Sequence, residues 1–308
     1  MPAMTDGRKS HLDARAVLLL LGCCAVWGLS QVAAKVSLAE VPPLTQAAVR
    51  SLGAALLLAL WARARGLPLW RRDGSGRAGL LVGALFAAEF ACLFIGLQFT
   101  SASRMVVFLY SAPFVVALGM PWLNRSEQLD RVQMLGLLIA FAGVVWAYSE
   151  GLGASTAGPR QWLGDALGLA GAVFWALSTL ALRGSVLTRA LPEKTLMYQL
   201  LVSAMVLGAA APLAGETLPT QLSAATWWGL GFQTGVVTFA SYLVWFWLVR
   251  HYPATRVSAF TLLTPVFGLL AGVMLLNEPA TARLLVGLVA VCAGIILVNR
   301  PTRQRRPG

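Results

Sequence analysis

Charge is scarce in this chain. Only 12% of its 308 residues are Asp, Glu, Lys or Arg, against roughly 25% in a soluble domain. So little charge cannot coat a water-facing surface, and a soluble architecture is excluded. The two histidines, His11 and His251, both lie in or beside loops. A Ser/His/Asp hydrolase working inside a membrane needs a buried His, and neither qualifies. HExxH is absent, and so is the GxxxxGK[ST] loop of ATP-driven machines. Cys23, Cys24, Cys92 and Cys292 all sit within apolar runs, without the spacing of a zinc site or a disulfide framework. No metal and no cofactor is expected. The net charge of +12 is carried by short loops, which marks it as topogenic charge and not a nucleic-acid footprint.

What remains is 58% hydrophobic. Ten apolar runs of about 20 residues, each long enough to cross a bilayer, are predicted at 16–37, 43–62, 78–98, 101–123, 132–149, 162–183, 194–213, 225–249, 255–276 and 281–299. The first, after Arg8, Lys9 and Arg15, is too long for a signal-peptide core and reads as a membrane helix. With the N-terminus in the cytoplasm, 19 of the 24 basic residues fall on the inner side; Lys35, Arg50, Arg104, Arg160 and Arg283 do not. That split predicts both termini inside.

The chain repeats itself. Trp27, Ser30 and Lys35 recur as Trp175, Ser178 and Arg183, 148 residues on. Ala102, Arg104, Phe108 and Pro113 recur as Ala254, Arg256, Phe260 and Pro265, 152 residues on; Glu127, Gly136 and Gly143 recur as Glu278, Gly287 and Gly294, 151 residues on. An odd unit of five helices must enter the membrane inverted the second time. The expected fold is all-α integral membrane, two inverted five-helix repeats over 1–150 and 151–308, N-in and C-in. Inverted repeats of this kind place a substrate near the midplane of carriers, although some channels use them too.

The segments Trp27 through Lys35, Thr100-Ser101-Ala102-Ser103-Arg104 up to Pro113, Pro253-Ala254-Thr255-Arg256 up to Pro265, and Asn277-Glu278-Pro279 resemble the drug/metabolite transporter superfamily, and within it the EamA family. Among its members the chain is most similar to YddG-like exporters of aromatic and other neutral amino acids. The resemblance implies a ten-helix carrier of the bacterial inner membrane, not an enzyme, that exports small metabolites.

Candidate substrate-binding residues follow from polar and aromatic groups in the apolar runs. Glu89 lies about 17 Å from the inner face and Arg50 about 10 Å from the outer face at 1.5 Å per residue, so the two could meet. They either serve substrate or proton, or simply pair so that both charges can exist in the membrane. Thr234, Thr238, Ser241 and Trp245 follow i, i+4, i+7, i+11, one α-helical face that either lines a cavity or bonds a neighbouring helix. Trp27 and Trp175 are mid-span, away from the interfaces that Trp favours. Ser178, Gln199, Tyr110 and Tyr242 complete a set suited to an amphipathic solute; for any one of them, ordinary packing is the competing account. Pro113 and Pro265, expected mid-helix, are the candidate hinges or static kinks. Gly136 with Gly143, and Gly287 with Gly294, are seven apart and suit close helix packing, within the fold or in a homodimer. The expected partners are a small-molecule substrate and membrane lipid, with the chain a monomer or homodimer. A lipid-handling scaffold or intramembrane enzyme is the alternative from another class.

Overall fold

A computed structural model describes residues 9, 11–96, 98–100, 102–149, 159–217, 220–276 and 282–300. Among these there is helix and no strand. The α-helices are α1 (Ala14–Leu38), α2 (Pro43–Ala64), α3 (Gly76–Gly96), α4 (Ala102–Leu109), α5 (Ala112–Leu123), α6 (Arg131–Ala147), α7 (Gln161–Arg183), α8 (Pro192–Leu213), α9 (Ala224–Gly231), α10 (Tyr242–His251), α11 (Ala254–Phe260), α12 (Leu263–Leu276) and α13 (Ala282–Asn299), with a π-helical segment, Phe232–Ser241, joining α9 to α10. Among the described residues six helical runs are long and apolar enough to cross a membrane; 14–30, 131–147 and 285–299 are shorter apolar stretches. Leu18, Leu60, Trp122 and Ile296 lie on the surface, as expected of a multi-pass membrane protein whose outer faces meet lipid. Asn277, Glu278 and Pro279 fall outside the described residues, as does the side chain of Lys35.

The helix ends are held by their sequences. Pro43 opens α2, and the Glu216 carboxylate accepts from the Leu44 and Thr45 amides at 3.0 and 2.7 Å, taking two donors that the first turn leaves free. Asp130 and Gln133 form a reciprocal capping box at the start of α6.

Three helices depart from the expected continuous runs. Pro113 is in the first turn of α5 and Pro265 in that of α12, and each run breaks just before its proline, at 110–111 and 261–262. The cause is local. A proline has no N–H for the carbonyl four residues back, Leu109 or Thr261, and its ring crowds that carbonyl. Side-chain hydroxyls reinforce the break: Ser111 donates to Phe108 O at 2.6 Å and Thr261 to Ser258 O at 2.6 Å. The prolines therefore start helices and do not kink the middle of them. The third departure is the π-helical segment, whose wider turn rotates the expected Thr234–Trp245 stripe off one face.

Close packing is strongest where glycine allows it. Helices α6 and α13 run antiparallel, Gly136 against Gly294 and Gly143 against Gly287. A methyl at Gly136 would sit 2.7 Å from Gly294 O, and one at Gly143 2.9 Å from Gly287 O. These glycines are thus used inside the chain. Helix α2 packs on α8, α3 on both α7 and α8, α1 on α12, and α5 on α7.

Candidate functional site

Helices α1, α2, α3, α4, α7, α8, α10 and α12, with the π-helical segment, contribute to the lining of a cavity of about 460 Å³, within the range typical of small-molecule sites. Its lining includes Trp27, Arg50, Glu89, Tyr110, Trp175, Ser178, Gln199 and Tyr242. Thus most of the sequence candidates, drawn from both halves of the chain, converge on one space. Thr238 and Ser241 do not line it. Thr234 instead packs against α2, its Cγ2 being 2.7 Å from where a Cβ at Gly53 would lie. Ser241 stands behind the wall, accepting from Trp27 Nε1 at 2.7 Å and donating to Val237 O at 2.5 Å. It therefore orients Trp27.

The wall is a chain of aromatic rings. Centroid separations run 6.1 Å from Phe94 to Phe90, 4.8 Å to Phe86, 5.9 Å to Tyr242 and 6.0 Å to Trp27. From Trp27 the chain continues 5.4 Å to Trp245, 6.4 Å to Trp175 and 5.7 Å to Tyr110. Most of these contacts are edge-to-face or tilted, the favoured geometry for aromatic pairs. Trp245 joins Trp27 to Trp175. Sequence reasoning missed Phe86, Phe90 and Phe94, although their i, i+4, i+8 spacing on the Glu89 helix was legible.

The polar groups are few. Arg50 lies on Phe90, its guanidinium carbon 4.1 Å from the ring centroid, a cation–π arrangement. Arg50 and Glu89 both face the cavity but make no ion pair among the described residues. Gln199 donates to Ser178 Oγ at 3.0 Å. Gln233, which the sequence did not single out, accepts from Gln46 at 2.9 Å and donates to Ser37 at 3.3 Å. A small, largely aromatic chamber with, among the described residues, one cation, one carboxylate and a few amides can hold an amphipathic organic molecule. Among the described residues no cluster of His, Cys, Asp or Glu could hold a metal.

A buried ion pair closes one end of this region. Arg183 donates to the Glu127 carboxylate, with side chains only 2% and 4% exposed. Arg183 also donates to Val249 O at 3.1 Å, and Glu127 accepts the Ala254 amide at 2.7 Å. Leu182 and Val249, beside this knot, line the cavity. The sequence marks Glu127 and Arg183 only as members of the repeat pattern, with nothing to show that they pair.

The fold and cavity define a helical membrane transporter. The chain matches the EamA-like transporter family over residues 14–149 and again over 162–300, and it belongs to that family. It is 30% identical over 286 residues to the uncharacterized transporter YvbV of Bacillus subtilis, covering 90% of this chain and 89% of the relative. It is 27% identical to a protein of Salmonella typhimurium named as a probable amino-acid metabolite efflux pump, over 92% of this chain and 93% of that one. An Escherichia coli protein of the same name is 25% identical over 89% and 91%. A solved crystal structure superposes with a TM-score of 0.79 at 17% identity, covering 93% of this chain and 96% of its own. The family and these relatives are transporters, not enzymes.

Proposed function

We propose that the protein is an alternating-access secondary carrier of the bacterial inner membrane, exporting small amphipathic metabolites, with neutral and aromatic amino acids as its leading substrates. The observation that carries this is the cavity itself, walled by Trp27 and Trp175, one from the same place in each half. The names of the Salmonella and Escherichia relatives support amino acids as the class to try first.

The ten-helix, inverted-repeat organisation over 1–150 and 151–308 is part of the proposal. Several contacts favour it. Ser51 and Ser203, 152 apart, meet hydroxyl to hydroxyl at 3.3 Å, as a residue and its counterpart do on a two-fold axis. Gly136 on Gly294 and Gly143 on Gly287 exchange under the same operation. Thr100 donates to Asp165 at 2.7 Å, while Tyr252 donates to Asp13 at 2.9 Å, both partners shifted by 152. Exposed Trp146, Trp162, Trp227 and Trp228 fall at the proposed outer interface, and Trp70 and Trp122 at the inner one, as aromatic belts do.

The test is counterflow in proteoliposomes across amino acids, nucleotide sugars and drugs. Saturable counterflow with amino acids is expected. Turnover of a compound without flux would sink the carrier reading, and flux without counterflow would make the protein a channel. Repeating the assay with and without a pH gradient, in wild type and Glu89→Gln, separates proton coupling from facilitated diffusion.

A further inference from the structure

Two side chains of the cavity keep buried polar atoms that meet no protein partner. Arg50 is 6% exposed, and its Nε and Nη2 are unpaired. Gln199 is 2% exposed, and its Oε1 is unpaired. Both line the cavity. Leaving such groups unsatisfied in a membrane interior is costly, so their presence points to a ligand that supplies the missing partners.

The chemistry of that ligand can be read from the atoms. Nε and Nη2 form one edge of the guanidinium, a fork matched to the two oxygens of a carboxylate. The same edge is used elsewhere in this protein: Arg104 donates to Asp165 through Nε at 3.0 Å and through Nη2 at 2.5 Å. Phe90 lies against the Arg50 guanidinium, its centroid 4.1 Å from the guanidinium carbon, and gives Nε and Nη2 no hydrogen-bond partner. Glu89 is near enough for its charge to act on Arg50 and Tyr242 is a further neighbour, yet no salt bridge forms with Glu89 and the Arg50 Nε and Nη2 keep no hydrogen-bond partner. Gln199 presents the opposite sense. Its amide nitrogen is committed to Ser178, and Oε1 is left to accept an N–H.

Their places on two packed helices bring both to one cavity. Helices α2 and α8 pack antiparallel through the Ser51–Ser203 contact. Arg50 is one residue before Ser51 and Gln199 four before Ser203, so their backbone positions flank that contact, about 7.5 Å apart along the axis at 1.5 Å per residue. Both side chains reach one cavity from these places, so a single solute there can meet both.

We infer that Arg50 and Gln199 are the specificity-determining pair: Arg50 grips the carboxylate of the solute and Gln199 Oε1 accepts from its amino group, while the aromatic chain holds its body. The inference rests on the carrier reading and deepens it, because it assigns selection to two named residues.

The experiment compares phenylalanine, phenethylamine and 3-phenylpropionate as counterflow substrates in proteoliposomes. Wild type should prefer phenylalanine to both. Arg50→Gln should reduce its advantage over phenethylamine by about tenfold or more, the scale of a lost hydrogen bond to a charged group. Arg50→Lys should keep part of it. Gln199→Leu should erode the advantage over 3-phenylpropionate instead. Each readout is a ratio within one preparation, so a lower folded fraction cancels. If Arg50→Gln does not reconstitute, the same ratios are read from ligand-induced thermal stabilisation of solubilised Arg50→Lys. An unchanged phenylalanine-to-phenethylamine ratio in the Arg50 variants overturns the proposal and leaves the carrier reading intact. So does counterflow by wild type confined to solutes without a carboxylate. Absence of counterflow with every compound in the broad panel removes the carrier reading itself.

Discussion

Replacing Glu127 with Gln strands a buried cation. In the wild type one carboxylate takes Arg183 and the Ala254 amide, and the Glu127 carbonyl accepts Thr255 Oγ1 at 3.3 Å. With side chains 4% and 2% exposed, neither partner is repaid by water. Removing one member of such a pair costs about 3–5 kcal/mol. Gln keeps an oxygen for the Ala254 amide, so the lower end, about 3 kcal/mol, is expected. At roughly 2–4 °C per kcal/mol, the value for domains of 150–250 residues, the melting midpoint should fall by roughly 6–12 °C. The assay is thermal unfolding of purified protein in detergent. The decisive comparison is Glu127→Gln with Arg183→Gln in the same chain. That double variant has no stranded charge and should melt above Glu127→Gln alone, since a buried pair replaced as a unit is far less costly than one broken. If Glu127→Gln melts within roughly 2 °C of wild type, or if the double variant melts lower than the single one, the pair is not what holds this end together.

Gly136→Ala would place a methyl 2.6 Å from Leu297 Cβ and 2.7 Å from Gly294 O, forcing α6 and α13 apart at a cost of about 1–3 kcal/mol in thermal unfolding; Gly22→Ala, with nothing within 4 Å, should be silent. Ser241→Ala removes the acceptor of the Trp27 indole and should cost about 1–3 kcal/mol while raising the KM of counterflow, because Trp27 then loses its fixed orientation. Asp130 is held below the usual carboxylate range first by the Gln133 amide and next, against the opposing effect of burial, by its hydrogen bond with Arg300. A depressed folded value means that its contribution is complete above the unfolded value of about 4 and is lost as pH falls through the lower folded one. The melting difference between wild type and Asp130→Ala should therefore be constant from neutral pH down to about 5 and shrink in stronger acid.

Hydropathy locates helices well because the bilayer demands length: the expected 43–62 and 162–183 are Pro43–Ala64 and Gln161–Arg183. It is blind to dihedral angles. The breaks before Pro113 and Pro265 and the π-helical Phe232–Ser241 lie in runs as apolar as their neighbours, and the i, i+4, i+7, i+11 count that grouped Thr234, Thr238, Ser241 and Trp245 presumes 3.6 residues per turn. The site was legible where residues break a rule of membrane helices. Trp27 and Trp175 stand in the middle of apolar runs and not at their ends, and Arg50 and Glu89 are charges inside such runs. Phe86, Phe90 and Phe94 break no such rule, so they passed unnoticed; Glu127 and Arg183 stood out only as repeat markers, because their place at helix ends suits ordinary loop charge.

The repeat offsets carry a further consequence for energetics. Trp27 is held by Ser241, and the counterparts of those residues are Trp175 and Glu89. On one side of the proposed axis an indole meets a hydroxyl that is itself committed to Val237 O. On the other side, its counterpart has a carboxylate at the matching place. Likewise Trp245, which bridges the two tryptophans, has Leu93 as its counterpart, and a leucine cannot offer the same edge-to-face contacts. If the two halves exchange conformations during transport, the exchange cannot be energetically even. A transporter variant carrying Trp245→Leu should therefore shift the balance between the two facing states. A sided thiol-labelling assay on a cysteine placed at Leu182 reads that balance directly, and equal labelling in wild type and variant would show that Trp245 has no part in setting it.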